Sequence, residues 1–207
     1  NENNLSNENQ VKRIISIDPG VRTFATCYDP SGSIIKFCPQ DNKRLYCLFH
    51  FKNKLRSLIA KAETHKKRYS YKKAFLRLSQ KIKDLVIDAH KKIALWLCQN
   101  YNIILIPKLK LNSKNISKKT RNKLLLWSQC EFVDRLIDKS KEFSDCKVLI
   151  VTEEYTSKTC GNCGYLKYNL NKAEIYNCDC CKTIIDRDIN GSRNILLKYL
   201  TEILKDF

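Results

Sequence analysis

Cysteines and carboxylates are the residues whose spacing suits chemistry. Cys160 and Cys163 form one Cys-x-x-Cys knuckle and Cys178 and Cys181 another. Two such knuckles in a short module supply the thiolates that a tetrahedral Zn²⁺ prefers. Gly161 and Gly164 fall inside and just after the first knuckle, where the chain turns tightly and a residue without Cβ reaches positive φ at little cost. Cys180 stands two positions after Cys178, too close for the usual knuckle, so Cys178 and Cys181 are the expected ligands and Cys180 a spare thiol. The bland alternative is buried or redox cysteines with no metal. Directly downstream, Asp186 and Asp188 form a carboxylate pair entering an amphipathic helix, and Asp18, Glu153 and Glu154 end apolar runs elsewhere. Hard Mg²⁺ or Mn²⁺ takes oxygen ligands while soft thiolates take zinc, so the two sets divide the metal chemistry between them. Asp18 alone, ahead of Pro19-Gly20, reads more readily as a turn residue.

The elements that must position these groups follow from hydrophobic period and turn residues. Residues 1–10 read as a polar, flexible tail and residues 11–17 as a buried strand that delivers Asp18. Residues 23–28 and 33–37 are two further strands around the turn Asp29-Pro30-Ser31-Gly32, giving an antiparallel meander. From about 45 to 100 the period becomes helical: Phe75, Leu78, Ile82, Leu85, Val86, Ala89, Ile93, Trp96 and Leu97 make one stripe, and a partner helix at 51–62 carries Leu55, Leu58 and Ile59. Residues 101–106 are a strand ended by Pro107, residues 108–123 a basic linker, 118–143 a helix with Leu126, Cys130, Val133 and Ile137 on one face, and 146–152 a strand ending at Glu153-Glu154. Trp127, beside that stripe, reads as core. The last helix is expected at 189–204.

Composition narrows the partner. The chain of 207 residues carries 39 lysines and arginines against 21 acidic residues, a net charge of +18, a surplus that attracts a polyanion and does nothing for a small neutral substrate. Residues 51–92 hold 14 basic and 3 acidic side chains, and Lys66, Lys67, Arg68, Lys72 and Lys73 flank Tyr69 and Tyr71. That pattern suits phosphate contacts with base or sugar stacking, although a solvated helix face explains it too. Eleven cysteines, an odd number with most scattered singly, point to a reducing intracellular setting, cytoplasm or nucleus, and not to secretion. No apolar run reaches the roughly 18 residues that would span a bilayer. The N-terminus lacks a signal-peptide core and the chain lacks Met, which reads as a segment of a longer protein. His50, His65 and His90 are isolated and form no ligand set.

Meander, helices, strand, helix, strand, helix is the order of an α/β RNase H-like (RuvC) fold, a mixed sheet with flanking helices. Here a basic helical hairpin is inserted at about 45–100 and a zinc ribbon before the last helix. The expected divisions are 11–155 for the core with its hairpin, 156–185 for the ribbon and 186–207 for the last core segment and C-terminal helix.

Asp18-Pro19-Gly20-Val21-Arg22-Thr23-Phe24, Tyr155-Thr156-Ser157-Lys158-Thr159-Cys160, Cys178-x-x-Cys181 and Asp186-Arg187-Asp188-x-Asn190-Gly191 together resemble the C-terminal half of the TnpB/Fanzor family. These are transposon-encoded RNA-guided DNA nucleases, called OrfB-type transposases in older terms. The resemblance spans most of the chain and is most specific in its last part. It implies an endonuclease in which Asp18 and Asp188 are metal ligands, with Asp186 and Arg187 orienting the helix and touching phosphate. It also implies DNA and a guide RNA as partners, structural zinc and catalytic magnesium or manganese; oligomeric state stays open. One position departs: Pro107 stands where the family pattern has a glutamate. Adjacent strands lie about 4.8 Å apart, so a glutamate at the tip of the next strand can lean into that gap. Glu153 is the expected third ligand with Glu154 in reserve, since neighbouring strand residues point to opposite faces. The alternative is a degenerate nuclease that only binds DNA or RNA through its zinc ribbon. A Holliday-junction resolvase sharing the core fold is a third reading, disfavoured by the ribbon.

Overall fold

The computed structural model describes residues 12–20, 22–39, 41–107, 125–170 and 173–204. The expected tail at 1–10 and the basic linker at 108–123 lie outside the described residues. Strand β1 (Ile14–Pro19) begins the structure. It places Ile15 and Ile17, both fully buried, on one face of the sheet and Ser16 on the other, as the two-residue period of a strand requires. β2 (Ala25–Tyr28) and β3 (Ile34–Phe37) complete the antiparallel meander. Between them Asp29 accepts from the Ser31 N–H at 2.7 Å and Gly32 takes φ 88°, a conformation that favours glycine.

Helix α1 (Asp41–Lys61) and helix α2 (His65–Asn100) form the hairpin. α1 starts ten residues ahead of the stripe expected at 51–62, because Leu45 and Leu48 already anchor it to the core. The Thr64 side chain accepts from the Lys67 N–H at 3.4 Å and caps α2. At 1.5 Å per residue, α2 is roughly 54 Å long. Its buried stripe runs from Ile82 through Val86, His90, Ile93 and Leu97, so its first half reaches beyond the sheet. β4 (Ile103–Pro107) and β5 (Lys147–Val151) then add in parallel, giving the mixed order β3-β2-β1-β4-β5 with β1 central.

Between these strands lies helix α3 (Gln129–Ser140), set off by a turn at Trp127-Ser128 within the helix expected at 118–143, of which residues 118–124 lie outside the described residues. Trp127 and Ser128 form a turn with Ser128 at φ 45°, because the His90 ring holds the Trp127 carbonyl at 2.8 Å while the indole packs against Phe24. α2 and α3 cover one sheet face, where Ile15, Ile17, Phe24, Ile104, Ile106, Leu97, Phe132 and Leu136 form the main core. Each fully buried side chain of this kind contributes roughly 1.5–3 kcal/mol. Of the cysteines expected in apolar surroundings, Cys98 is buried there and Cys130 is exposed.

The other face is covered by helix α4 (Arg187–Ile203) through Leu105, Ile195 and Leu196. A small two-stranded sheet, β6 (Ile175–Asn177) with β7 (Ile184–Asp186), sits between β5 and α4 in sequence. Among the described residues no helix is long and apolar enough to cross a membrane.

Candidate metal centres

The two knuckles close on one another. The ligand sulfurs of Cys160, Cys163, Cys178 and Cys181 all lie within 4.8 Å of each other, a set that could hold a metal ion such as zinc. Cys180 is exposed and stands outside the set. Gly164 takes φ 74° as the first knuckle turns. The Thr183 hydroxyl lies 3.1 Å from Cys181 Sγ and the Asn162 amide donates to that sulfur at 3.6 Å. Hydrogen bonds from the Thr183 hydroxyl and N–H pull the Cys181 thiol down, while the neighbouring sulfurs push that of Cys163 up, so without an ion the cluster favours one thiolate among its thiols. Tyr176, fully buried beside Cys160 and Cys178, fills the space under the knuckles and donates its hydroxyl to the Lys158 carbonyl at 3.1 Å.

This cluster is clamped to α4 by two asparagines that residue spacing alone did not single out. Asn190 donates to the Thr159 carbonyl at 2.8 Å and accepts from the Gly161 N–H at 2.9 Å. Asn194, one helical turn on, donates to the Thr156 and Thr159 carbonyls at 2.8 and 2.6 Å. Both are buried, so losing Asn194 would take this donor from the Thr156 carbonyl and losing Asn190 this acceptor from the Gly161 N–H, while the Thr159 carbonyl is shared between them. Their four-residue spacing on a helix whose next face is apolar was the available signal.

α4 begins at Arg187, two residues before the start expected from its apolar period, because Asp186 caps it. The Asp186 carboxylate accepts from the N–H groups of Asp188 and Ile189 at 2.8 and 3.2 Å and pairs with Lys36 at 2.8 Å. Burial pulls its carboxyl upward, but Lys36 and the two N–H groups outweigh it and hold the group below its usual range. Asp186 thus aims the helix, while Asp188 sits in the first turn, where the helix dipole favours negative charge.

Asp18, near the end of β1, meets the same helix one turn later. Its Oδ2 is 2.5 Å from where a Cβ on Gly191 would stand. The close approach is possible because the crossing is built from Ser16, Gly191 and Ser192, with Ser16 Oγ 2.7 Å from the Ser192 carbonyl. Asp188 and Gly191 are three positions apart and share a helix face. The residue keeps some exposure while its carboxyl end is enclosed. Burial first, then the charges of Asp188 and Glu153, push the Asp18 carboxyl up to about 8, against the pull of Arg187 and Arg22. Enclosure away from water is the larger cause and the like charges the smaller, and a divalent ion would offset both.

Glu153 follows the tip of β5, and Pro107 pairs with Val151 at the end of β4 beside it. The Thr156 N–H and hydroxyl donate to the Glu153 carbonyl at 3.3 and 2.8 Å and fix this turn. Glu153 is half-buried and its charge acts on Asp18; Glu154 is exposed, its carbonyl accepting from Lys198 at 3.4 Å. Asp188 is held by Arg22, which sequence spacing did not single out: Nη2 donates to Oδ1 at 2.7 Å and Nε to Oδ2 at 3.3 Å. Among the described residues the thiolates are the set that draws together closely enough to hold an ion; the carboxylates stay further apart.

Lys66, Lys67, Arg68, Lys72 and Lys73 are all exposed in the first turns of α2, with Tyr69 63% exposed among them and Tyr71 half-buried. Lys52 and Arg56 of α1 lie over the Phe75 ring at 5.6 and 5.7 Å, so one charged surface runs across both helices.

Comparison with known proteins bears on the family and the fold. Residues 2–122 match the family described as Probable transposase, and residues 130–195 match the Cas12f1-like TNB domain. Protein A625R of Paramecium bursaria Chlorella virus 1 is 31% identical over 198 residues, which is 92% of this chain and 44% of that protein. TnpB-like protein L79 of Acanthamoeba polyphaga mimivirus is 29% identical over 204 residues, 91% of this chain and 38% of that protein. The chain therefore spans less than half the length of these relatives. A Cas12f1 chain solved with sgRNA and target DNA has the same fold, with a TM-score of 0.62 at 24% identity over 92% of this chain and 51% of that one.

Proposed function

The chain belongs to the TnpB family of probable transposases, and from that premise we propose that it carries the cutting core of an RNA-guided, metal-dependent DNA endonuclease. The sheet order β3-β2-β1-β4-β5, antiparallel through β3 and parallel beyond β1, supports an RNase H-like (RuvC) core. We assign residues 11–155 and 186–207 to that core, with the hairpin as its insert, and 156–185 to a zinc ribbon.

Asp18, Asp188 and Glu153 would hold the ions, with Glu154 in reserve. Two Mg²⁺ or Mn²⁺ ions about 4 Å apart would supply an activated water and a stabilised leaving oxygen. The protein's own work is positional. β1 carries Asp18 near its end, Asp186 caps α4 and so sets the first turn that bears Asp188, and the Thr156 contacts fix the turn after β5 in which Glu153 lies. Zinc in the ribbon has a structural task. With the sulfurs tied together, Asn190 and Asn194 keep the first knuckle against the helix that bears Asp188. Arg187 and the exposed cations Lys66, Lys67, Arg68, Lys72 and Lys73 suit phosphate contacts with DNA and guide RNA, and Tyr69 suits stacking.

The observation that carries this reading is that Asp18 lies against Gly191 of the helix that bears Asp188, with the Arg22 fork drawn onto both Asp188 oxygens and the first knuckle clamped to the same helix. In the complete protein with its guide, Glu153→Gln should abolish cleavage while DNA and guide binding persist, and Glu154→Gln should cut normally. Cleavage retained by Glu153→Gln and lost by Glu154→Gln would move the third ligand to Glu154. Pro107 in the strand next to β5 favours a second reading, a binding protein that does not cut. No cleavage by the wild-type protein with either Mg²⁺ or Mn²⁺, with binding intact, would select it.

A further inference from the structure

We infer that Arg22 is a positioning residue that acts as the resident cation of the carboxylate pocket, holding Asp188 until a divalent ion takes its place. The inference rests on the metal-binding reading above and adds how the ion gains entry. Arg22 projects from the tight turn after β1. There the Gly20 N–H donates to the Phe24 carbonyl at 3.2 Å, and a Cβ on Gly20 would strike the Thr23 carbonyl at 2.8 Å. That turn fixes the backbone from which the guanidinium reaches across to α4.

The contact engages both oxygens of Asp188, at 2.7 and 3.3 Å, with one planar fork. The remaining nitrogen, Nη1, lies 3.4 Å from Glu174 just ahead of β6. Arg22 therefore ties the catalytic helix to the ribbon as well as to the turn after β1. Asp188 is 21% exposed and the arginine side chain 34%, so water screens this pair only in part. Glu174, 76% exposed, is the weak arm.

Charge and geometry decide what the fork does. A Mg²⁺ or Mn²⁺ ion needs at least one Asp188 oxygen, and its two positive charges repel a guanidinium held at the same carboxylate. The ion and the bidentate fork therefore exclude each other. A residue that only braced Asp188 would help the ion bind, and its removal would weaken binding. A residue that competes for the same oxygens hinders the ion, and its removal tightens binding. The two roles differ in sign.

Titration of the zinc-loaded chain with Mn²⁺ alone, read by calorimetry, distinguishes them. Arg22→Gln should bind Mn²⁺ about three- to tenfold more tightly than wild type, the size expected when one partly screened ion pair is removed. Arg22→Lys, which keeps the charge but loses the fork, should fall between the two. Equal or weaker Mn²⁺ binding by Arg22→Gln with an unchanged melting profile overturns the inference and leaves the carboxylate site standing. Should Arg22→Gln fail to fold, Arg22→Lys decides in the same way: tighter binding than wild type supports competition, and equal or weaker binding overturns it. Absence of Mn²⁺ uptake by the wild-type chain overturns the site and this inference together.

Discussion

Asp18 and Gly191 share one contact surface: the carboxylate Oδ2 occupies the space within 2.5 Å of where a side chain on residue 191 would begin. The strand that carries Asp18 and the helix that carries Asp188 are therefore in register only while residue 191 has no Cβ.

Gly191→Ala tests that register. Alanine improves helix propensity by up to about 1 kcal/mol, yet the crowding at Asp18 should outweigh it and leave a net loss of about 1–3 kcal/mol. Thermal melts of Gly191→Ala, Asp18→Ala and the double variant check this. The double variant should recover part of the loss, with a coupling of about 1 kcal/mol or more; strict additivity would place the two residues apart.

The thiolate cluster makes a spectroscopic prediction. Replacing zinc by Co²⁺ should give the absorption of a tetrahedral four-sulfur site. Cys181→Ser should lose it and Cys180→Ser should keep it, following which of the two sulfurs joins the set. Chelation should loosen the ribbon, since structural zinc supplies folding free energy to small modules.

The spacing of these cysteines was legible because a knuckle is local: its ligands are fixed by three bonds of chain and one turn. Asp18 and Asp186-x-Asp188 were legible through short motifs at the ends of apolar runs, and β1, β4 and β5 through their apolar composition. Arg22 was not, because the contact that gives it meaning is 166 residues away in sequence. The break before α3 was not legible either. Helical period runs through Trp127, and only the His90 contact with its carbonyl, made across 37 residues, shows why the chain turns there. Glu153 lies between these cases: its place depended on knowing that β5 lies beside β4.

Asn194→Ala removes a donor from the buried Thr156 carbonyl and one of two donors from the Thr159 carbonyl and should cost about 1–3 kcal/mol. Hydrogen exchange should quicken at residues 156–161 while zinc content stays at the wild-type level. Unchanged exchange there would mean that the ribbon holds its place without the clamp.

His90 gives a pH dependence away from the metal sites. Burial pushes the imidazole down to about 4 from its ordinary 6.5, as its ring nitrogens meet the Trp127 carbonyl and Arg135, each at 2.8 Å. The folded state therefore binds fewer protons than the unfolded one between those values. This contribution is full above pH 6.5 and is lost as pH falls through about 4, a change of at most roughly 3–4 kcal/mol. Urea titrations of both proteins across that window should show wild type losing stability relative to His90→Gln as pH falls, a comparison that removes the opposite drift from Asp18, whose carboxyl is raised to about 8. A stability difference between wild type and His90→Gln that stays constant across the window would contradict a neutral buried ring.

Anomalous scattering from crystals of the zinc-loaded chain soaked in Mn²⁺ tests the central claim most directly. The account predicts a zinc peak among Cys160, Cys163, Cys178 and Cys181, and manganese bound by Asp18, Asp188 and Glu153, with Arg22 withdrawn from Asp188. Manganese absent from that pocket at saturating concentration, or held there without Glu153, would contradict it.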